Sequence, residues 1–254
     1  MPWKSEGGRR VTTSKAGSFL TSLGVIRATA EITAGTLFDL ALGEVTRVAT
    51  DRRVAWWGAE TERIAHIDLR VRGAEHVAGE ERFVVMSNHQ SHVDIPVLFR
   101  AVSPSIRMVT KKELFRVPAW GRAMRAAGFI EIDRKDRARA KESLERARQA
   151  MTELGVHVWI APEGTRSRTG SLGPFKKGGF ILASQSGARI LPVGLWGTRD
   201  VLPPGGLRAR KGARVGVVIG APIDSAGRDK DALLDETRAA IAKLVDEAKA
   251  LSAT

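Results

Sequence analysis

In the stretch Asn88-His89-Gln90-Ser91-His92-Val93-Asp94, a histidine and an aspartate stand five positions apart. The apolar run Phe83-Val84-Val85-Met86 precedes it and Ile95-Pro96-Val97-Leu98-Phe99 follows. A run of β-formers, a polar corner and a proline in the next first turn predict strand, loop and helix, a common carrier of catalytic side chains. Five positions do not stack on one helical face, but a loop at a helix start lets the Asp94 carboxylate fold back onto the His89 imidazole. Such a pair fixes one tautomer and makes the other ring nitrogen a general base. Asp94 could also act simply as a helix N-cap. Two other chemistries use the same residues: His89, His92 and Asp94 as three metal ligands, or Ser91 as a nucleophile. The second lacks a G-x-S-x-G elbow, and the first leaves the Arg- and Gly-bearing stretches below without a role.

Three further stretches supply partners for this corner. In Gly128-Phe129-Ile130-Glu131-Ile132-Asp133-Arg134, Arg134 follows a strand end and could grip a phosphate through two parallel hydrogen bonds. It could equally form a surface pair with Asp133. In Pro162-Glu163-Gly164-Thr165-Arg166-Ser167, Gly164 permits an unusual backbone angle, and Thr165, Arg166 and backbone N–H groups can donate to an anion. Ile190-Leu191-Pro192-Val193-Gly194-Leu195 is chemically silent and should form a wall, its proline pointing to an edge or strand end. Lys111 and Lys112 add positive charge if the sheet order brings them near.

The elements that must position these groups alternate. Strands are expected at residues 67–72, 83–86, 106–109, 129–132, 156–160, 190–195 and 214–219. Helices are expected at 95–102, 137–154, 180–186 and 230–251, with helical patterning over 111–127 broken at Pro118. This order predicts an α/β fold, a central mostly parallel or mixed sheet covered by helices on both faces.

Ahead of it, residues 1–16 are polar and basic, and Phe19, Leu23, Ile26, Ala30, Leu37, Leu40, Ala41 and Val48 recur at helical spacing. Arg27, Glu31, Asp39 and Glu44 interrupt any window long enough to span a bilayer, so neither a signal peptide nor a transmembrane helix is expected. Gly35 predicts a break into an amphipathic helical hairpin whose apolar stripe needs cover from the core, a partner or a membrane surface. Core packing is the commonest outcome for such a stripe. Trp56-Trp57 behind Arg52 and Arg53 would suit a headgroup-level anchor or the core. The expected division is a helical membrane-associating segment over residues 1–60 and an α/β domain over 61–254.

The charge supports an anionic partner. Of the net +13, residues 1–80 contribute almost nothing, with 11 Lys and Arg against 10 Asp and Glu, while the remainder holds 30 against 18. That field would attract anionic headgroups, phosphorylated substrates or nucleic acid. No aromatic stacking platform or nucleic-acid motif accompanies it, so a basic nucleic-acid-binding module is the lesser reading. With no cysteine, disulfides, thiolate metal sites and a cysteine nucleophile are excluded.

Taken together and in order, the corner and the three later stretches resemble the four motif blocks of the glycerolipid acyltransferases, the bacterial 1-acylglycerol-3-phosphate acyltransferases in particular. The resemblance covers residues 88–195. It implies transfer of a fatty acyl group from acyl-CoA or acyl-carrier protein to the free hydroxyl of lysophosphatidic acid, giving phosphatidic acid. No cofactor is implied, the thioester entering as a substrate. It further implies His89 as general base, Asp94 as its orienting partner, and Arg134, Glu163, Gly164 and Arg166 as groups that bind or place the phosphate-bearing acceptor. Many members carry spanning segments before the first block. The amphipathic stretch here points instead to a peripheral enzyme on the cytoplasmic face of the membrane, held by anionic phospholipid. Another lysophospholipid as acceptor is the alternative within the same family.

Overall fold

A computed structural model of the chain describes residues 15–133 and 136–254. Seven strands, β1 (Asp68–Arg72), β2 (Val84–Ser87), β3 (Ile106–Lys111), β4 (Ile130–Ile132), β5 (His157–Ile160), β6 (Ile190–Trp196) and β7 (Arg214–Ile219), form one sheet in the order β1-β7-β6-β2-β5-β3-β4. From β6 to β4 every pair is parallel, β7 runs antiparallel to β6, and β1 is parallel to β7. The sheet is therefore mixed. Its parallel part opens the carboxyl ends of β2 to β6 on one edge, where the His89–Asp94 corner follows β2 and the 162–167 loop follows β5, while residues 190–195 lie within β6 itself.

Helices cover both faces because side chains alternate along each strand. Val85, Trp159, Leu191, Val193 and Val217 point to the side of α2 (Arg47–Ala65) and α3 (Asp94–Ala101), meeting Val54, Val97 and Leu98. Val84, Met86, Val158 and Ile190 point the other way, onto α5 (Arg137–Glu153), α6 (Gly178–Ser186) and, after the single-turn α7 (Thr198–Val201) in the chain, α8 (Lys230–Ala253). Helix α8 lies so close that a Cβ on Gly194 would stand 2.2 Å from the Leu244 carbonyl carbon.

Three expectations fail for local reasons. The hairpin breaks at Gly43, which adopts φ +72°, and not at Gly35, so α1 runs unbroken over Lys15–Leu42. Gly35 serves packing, since a Cβ there would sit 2.0 Å from the Arg53 guanidinium, which grips both Asp39 oxygens at 2.7 and 2.6 Å. The boundary expected at residue 60 consequently falls inside α2, which ends at the left-handed cap His66. Second, Pro192 lies in the middle of a central strand. The β6–β7 ladder starts at Val193, and an isolated bridge joins Ile190 to Ile223, so the missing N–H falls in an interruption of the pairing. Third, Lys111 completes β3 instead of opening a helix, and only a 3₁₀ turn (Leu114–Arg116) precedes α4 (Trp120–Ala126).

The stripe of α1 also resolves unexpectedly. Small side chains Ser18, Thr21, Ala28 and Thr36 are buried, while Phe19, Leu20, Leu23, Ile26, Phe38 and Leu42 are exposed. Most of the large apolar residues point away from the core. Trp57 packs inward, its indole N–H donating to Thr29 Oγ1 at 3.1 Å and its ring edge-on to Phe99, whereas Trp56 is exposed.

At the start of β5, His157 is buried and neutral, its Nδ1 accepting the Phe83 N–H at 3.2 Å. Burial, then the positive charge of Arg82, pushes its pKa down to about 4. Unfolding restores an ordinary value near 6.5. The native state thus gains stability above that pH and loses it progressively as pH falls from about 6.5 to about 4, by roughly 3 kcal/mol. Denaturant melts at pH 7 and 4.5 should show this loss, and His157→Gln should flatten it. An equally steep acid profile in the variant would assign the loss to other groups.

Candidate active site

Asn88, just past β2, replaces a backbone pair with its side chain, donating to the Leu195 carbonyl at 2.9 Å and accepting the Leu195 N–H at 2.8 Å. This pins the chain where it turns into the corner. One oxygen of Asp94, Oδ2, accepts from His89 Nδ1 at 2.6 Å, from the Gln90 N–H at 2.7 Å and from the Ser91 N–H at 3.0 Å. Asp94 is fully buried and opens α3 as its first residue, the N-cap position being Val93. Its carboxylate therefore caps the turn behind it, and the simple N-cap reading does not hold. Because a carboxylate accepts, the His89 proton belongs on Nδ1, and Nε2 carries the lone pair.

The imidazole plane is set from the side. Trp159 meets it edge-on at 5.4 Å, and the indole N–H donates to Ser87 Oγ at 2.9 Å, which in turn donates to the Asn88 carbonyl at 2.9 Å. Trp159 was not singled out from sequence. The alternation along 156–160, which sets Trp159 opposite in face to Val158, was the available signal, and the register Val85↔Trp159 brings it to the side of the corner.

The loop after β5 closes on the same point. Glu163 is buried; Oε1 accepts the His89 N–H at 3.1 Å and Oε2 the Gly173 N–H at 2.8 Å. The Ser167 N–H donates to the His89 carbonyl at 2.8 Å. Burial raises the Glu163 pKa, opposed by these two amide bonds. Both oxygens are committed to backbone, so Glu163 holds His89 in place. Gly164 adopts φ +69°, and a Cβ there would lie 3.1 Å from the Lys176 ammonium, so glycine lets that lysine lie against the turn. Nothing in the spacing of Gly173 or Lys176 marked them beforehand.

Arg166 and Lys111 arrive from different strands. Burial and then the charge of Arg166 drive the His92 pKa down to about 4, with His89 and Lys111 adding to the effect and Asp94 opposing it. The His92 side chain reaches solvent at the rim of the corner, while the protein crowding its ring withholds enough water to disfavour the charged form beside Arg166 and Lys111. Thr165 is exposed on the loop between Gly164 and Arg166. Lys112, in contrast, is paired with Asp133. Arg134 lies outside the described residues.

Other readings of the corner meet obstacles. Ser91 is buried, its hydroxyl donating to the Leu202 carbonyl at 2.8 Å and accepting the Val93 N–H at 3.1 Å, a structural role that leaves no free nucleophile. Among the described residues no group of three or more His, Asp or Glu is placed to share a metal ion. The backbone N–H groups of His89, Gln90, Ser91 and Val93 are all engaged within the corner, so these amides are not the donors for an oxyanion.

If Glu163 positions the base, Glu163→Gln should turn an amide NH₂ toward one of the two N–H donors. Stability should fall by about 1–3 kcal/mol and kcat by about tenfold or more, with acceptor KM within about twofold of the parent. A raised acceptor KM at unchanged kcat would make Glu163 a substrate ligand instead.

The family model described as Acyltransferase matches residues 68–196. The 1-acyl-sn-glycerol-3-phosphate acyltransferase of the Arabidopsis thaliana chloroplast is 34% identical over 179 residues, 70% of this chain and 49% of that protein. The Mus musculus 1-acyl-sn-glycerol-3-phosphate acyltransferase alpha is 34% identical over 175 residues, 68% of this chain and 61% of that protein. The chain spans about half the length of the curated relatives it matches. The crystal structure of the 1-acyl-sn-glycerophosphate acyltransferase PlsC from Thermotoga maritima superposes with a TM-score of 0.79 at 27% identity, covering 93% of this chain and 98% of that one.

Proposed function

The chain belongs to the acyltransferase family, and from that premise we propose that it moves a fatty acyl group from a thioester, acyl-CoA or acyl-carrier protein, to the free hydroxyl of 1-acylglycerol 3-phosphate. The observation that carries this reading is the His89 Nδ1–Asp94 Oδ2 bond at 2.6 Å, which turns Nε2 into a base at the mouth where Arg166 and Lys111 converge. The acceptor phosphate meets these cations, with Thr165 as a further donor, and its hydroxyl reaches Nε2. As the hydroxyl oxygen attacks the thioester carbon, His89 takes its proton and Asp94 stabilises the imidazolium. Collapse of the tetrahedral intermediate breaks the C–S bond, and the proton passes to the departing sulfur. Ester and free thiol result, with no net change in protons.

The membrane is the second partner in this reading. The exposed face of α1 from Phe19 to Leu42 is largely apolar, interrupted by the Arg27–Glu31 pair, and no described helix is long and apolar enough to cross a membrane. Such a face, on a chain of net charge +13, suits a helix lying in an anionic surface, where the acceptor resides. The test is purified protein with a labelled acyl thioester and a panel of acceptors, read by product mass. Labelled phosphatidic acid from 1-acylglycerol 3-phosphate is expected. Product from another acceptor only would replace the substrate, and none from any acceptor would remove the function.

A further inference from the structure

Among the described residues the most exposed large apolar side chain is not on α1. It is Leu207, 89% exposed at the tip of the loop joining β6 to β7. That tip is built, with Gly205 at φ +78° and the Gly206 N–H donating to the Pro203 carbonyl at 2.9 Å. Ser22 clasps it to α1: the hydroxyl shares its proton between the Leu207 carbonyl at 3.0 Å and the Ser18 carbonyl at 3.1 Å and accepts the Ala209 N–H at 2.8 Å. On the helix surface Ser22 neighbours Phe19 and Ile26, three and four residues away, which are 55% and 63% exposed. Leu207 therefore extends the apolar face of α1 sideways. Arg208 and Arg210 follow it, both exposed, Arg210 also lying within charge range of Asp200.

The base of this loop is fastened to the catalytic corner. The Arg210 N–H donates to the Val201 carbonyl at 2.8 Å, and the neighbouring Leu202 carbonyl accepts the Ser91 hydroxyl at 2.8 Å, between His89 and Asp94 in the chain. The Gly212 N–H ties the far end to the Ala65 carbonyl at the end of α2 at 3.0 Å.

We propose that the β6–β7 loop is a second bilayer contact. Leu207 enters the apolar margin beside Phe19 and Ile26, Arg208 and Arg210 lie among anionic headgroups, and the Leu202–Ser91 link sets the height of the His89–Asp94 corner over the surface. A single apolar tip followed by two exposed cations matches a layered surface, apolar below and anionic above. The inference rests on the membrane reading of α1, and its test separates the two.

Because the chain has no cysteine, one introduced cysteine takes an environment-sensitive fluorophore at a unique site. Leu207→Cys, Ile26→Cys and, on α8 at the opposite face of the sheet, Lys243→Cys (80% exposed) are labelled and mixed with vesicles of phosphatidylethanolamine and phosphatidylglycerol. Blue shifts at Leu207 and Ile26 with none at Lys243 are expected, and Leu207→Asp should weaken vesicle binding about tenfold. A shift at Ile26 alone would overturn the loop contact and leave the helix reading standing. Silence at both would overturn both readings, and an equal shift at Lys243 would overturn the loop contact by exposing indiscriminate partitioning of the label.

Discussion

His89→Ala should lower acyl transfer by roughly 10²–10⁴-fold, the range in which a positioned general base acts, while the melting temperature stays near that of the parent. The fold should survive because the imidazole is not the only group holding the corner. Asp94 Oδ2 keeps the Gln90 and Ser91 N–H bonds, Asn88 keeps both bonds to Leu195, and Glu163 accepts a backbone N–H that alanine still supplies. What disappears is Nε2, with no other base of suitable form at the same point among the described residues. His92 is near but sits at the rim, and Glu163 is engaged through both oxygens. The measurement is initial rate with 1-acylglycerol 3-phosphate at saturating thioester, alongside thermal unfolding. Turnover within about tenfold of the parent would remove His89 as the base, and loss of the cooperative melt would assign it to the fold.

How much of this was legible beforehand follows the range of the interactions. The alternation of Val84 and Val85 or Val158 and Trp159 is local, so the strands and the doubly covered sheet follow from the pattern. The corner was legible for the same reason: His89 and Asp94 are close in sequence, and a turn at a helix start brings them together. Pro192 misled because sequence shows a missing N–H but not the neighbouring strand that would have needed it. Gly35 misled likewise, since a glycine that breaks a helix and one that admits the Arg53 guanidinium look alike until the partner helix is placed. Glu163 shows the limit most clearly. The family resemblance counts it among the groups that bind or place the acceptor, yet Gly173, ten residues on, and the His89 backbone occupy its oxygens. The face of α1 was hidden by averaging, because its buried side is serine, threonine and alanine, so moderate periodicity concealed which side faces out.

Asp94→Asn should cost about 10³-fold in kcat with little change in melting temperature, whereas Asp94→Ala should lose both activity and stability. From sequence the alanine variant is expected to remain folded, since only the bond to His89 is foreseeable. The structure shows the same oxygen accepting two buried backbone N–H groups as well. Alanine leaves both donors without partners, at roughly 1–3 kcal/mol each. Asparagine preserves the geometry, because its carbonyl can take the place of Oδ2 and accept from Gln90, Ser91 and His89 Nδ1, while the flipped rotamer would point NH₂ at three N–H donors. The tautomer is retained and only the charge is removed. That charge matters when His89 becomes an imidazolium: at about 4 Å and an effective dielectric near 20 the attraction is of the order of 4 kcal/mol, close to three decades of rate. The decisive comparison is kcat and melting temperature for the two variants together. An asparagine variant retaining more than about a tenth of parental turnover would reduce Asp94 to a scaffold for the turn, and equal melting losses in both would show that the charge, not the acceptor geometry, holds the corner.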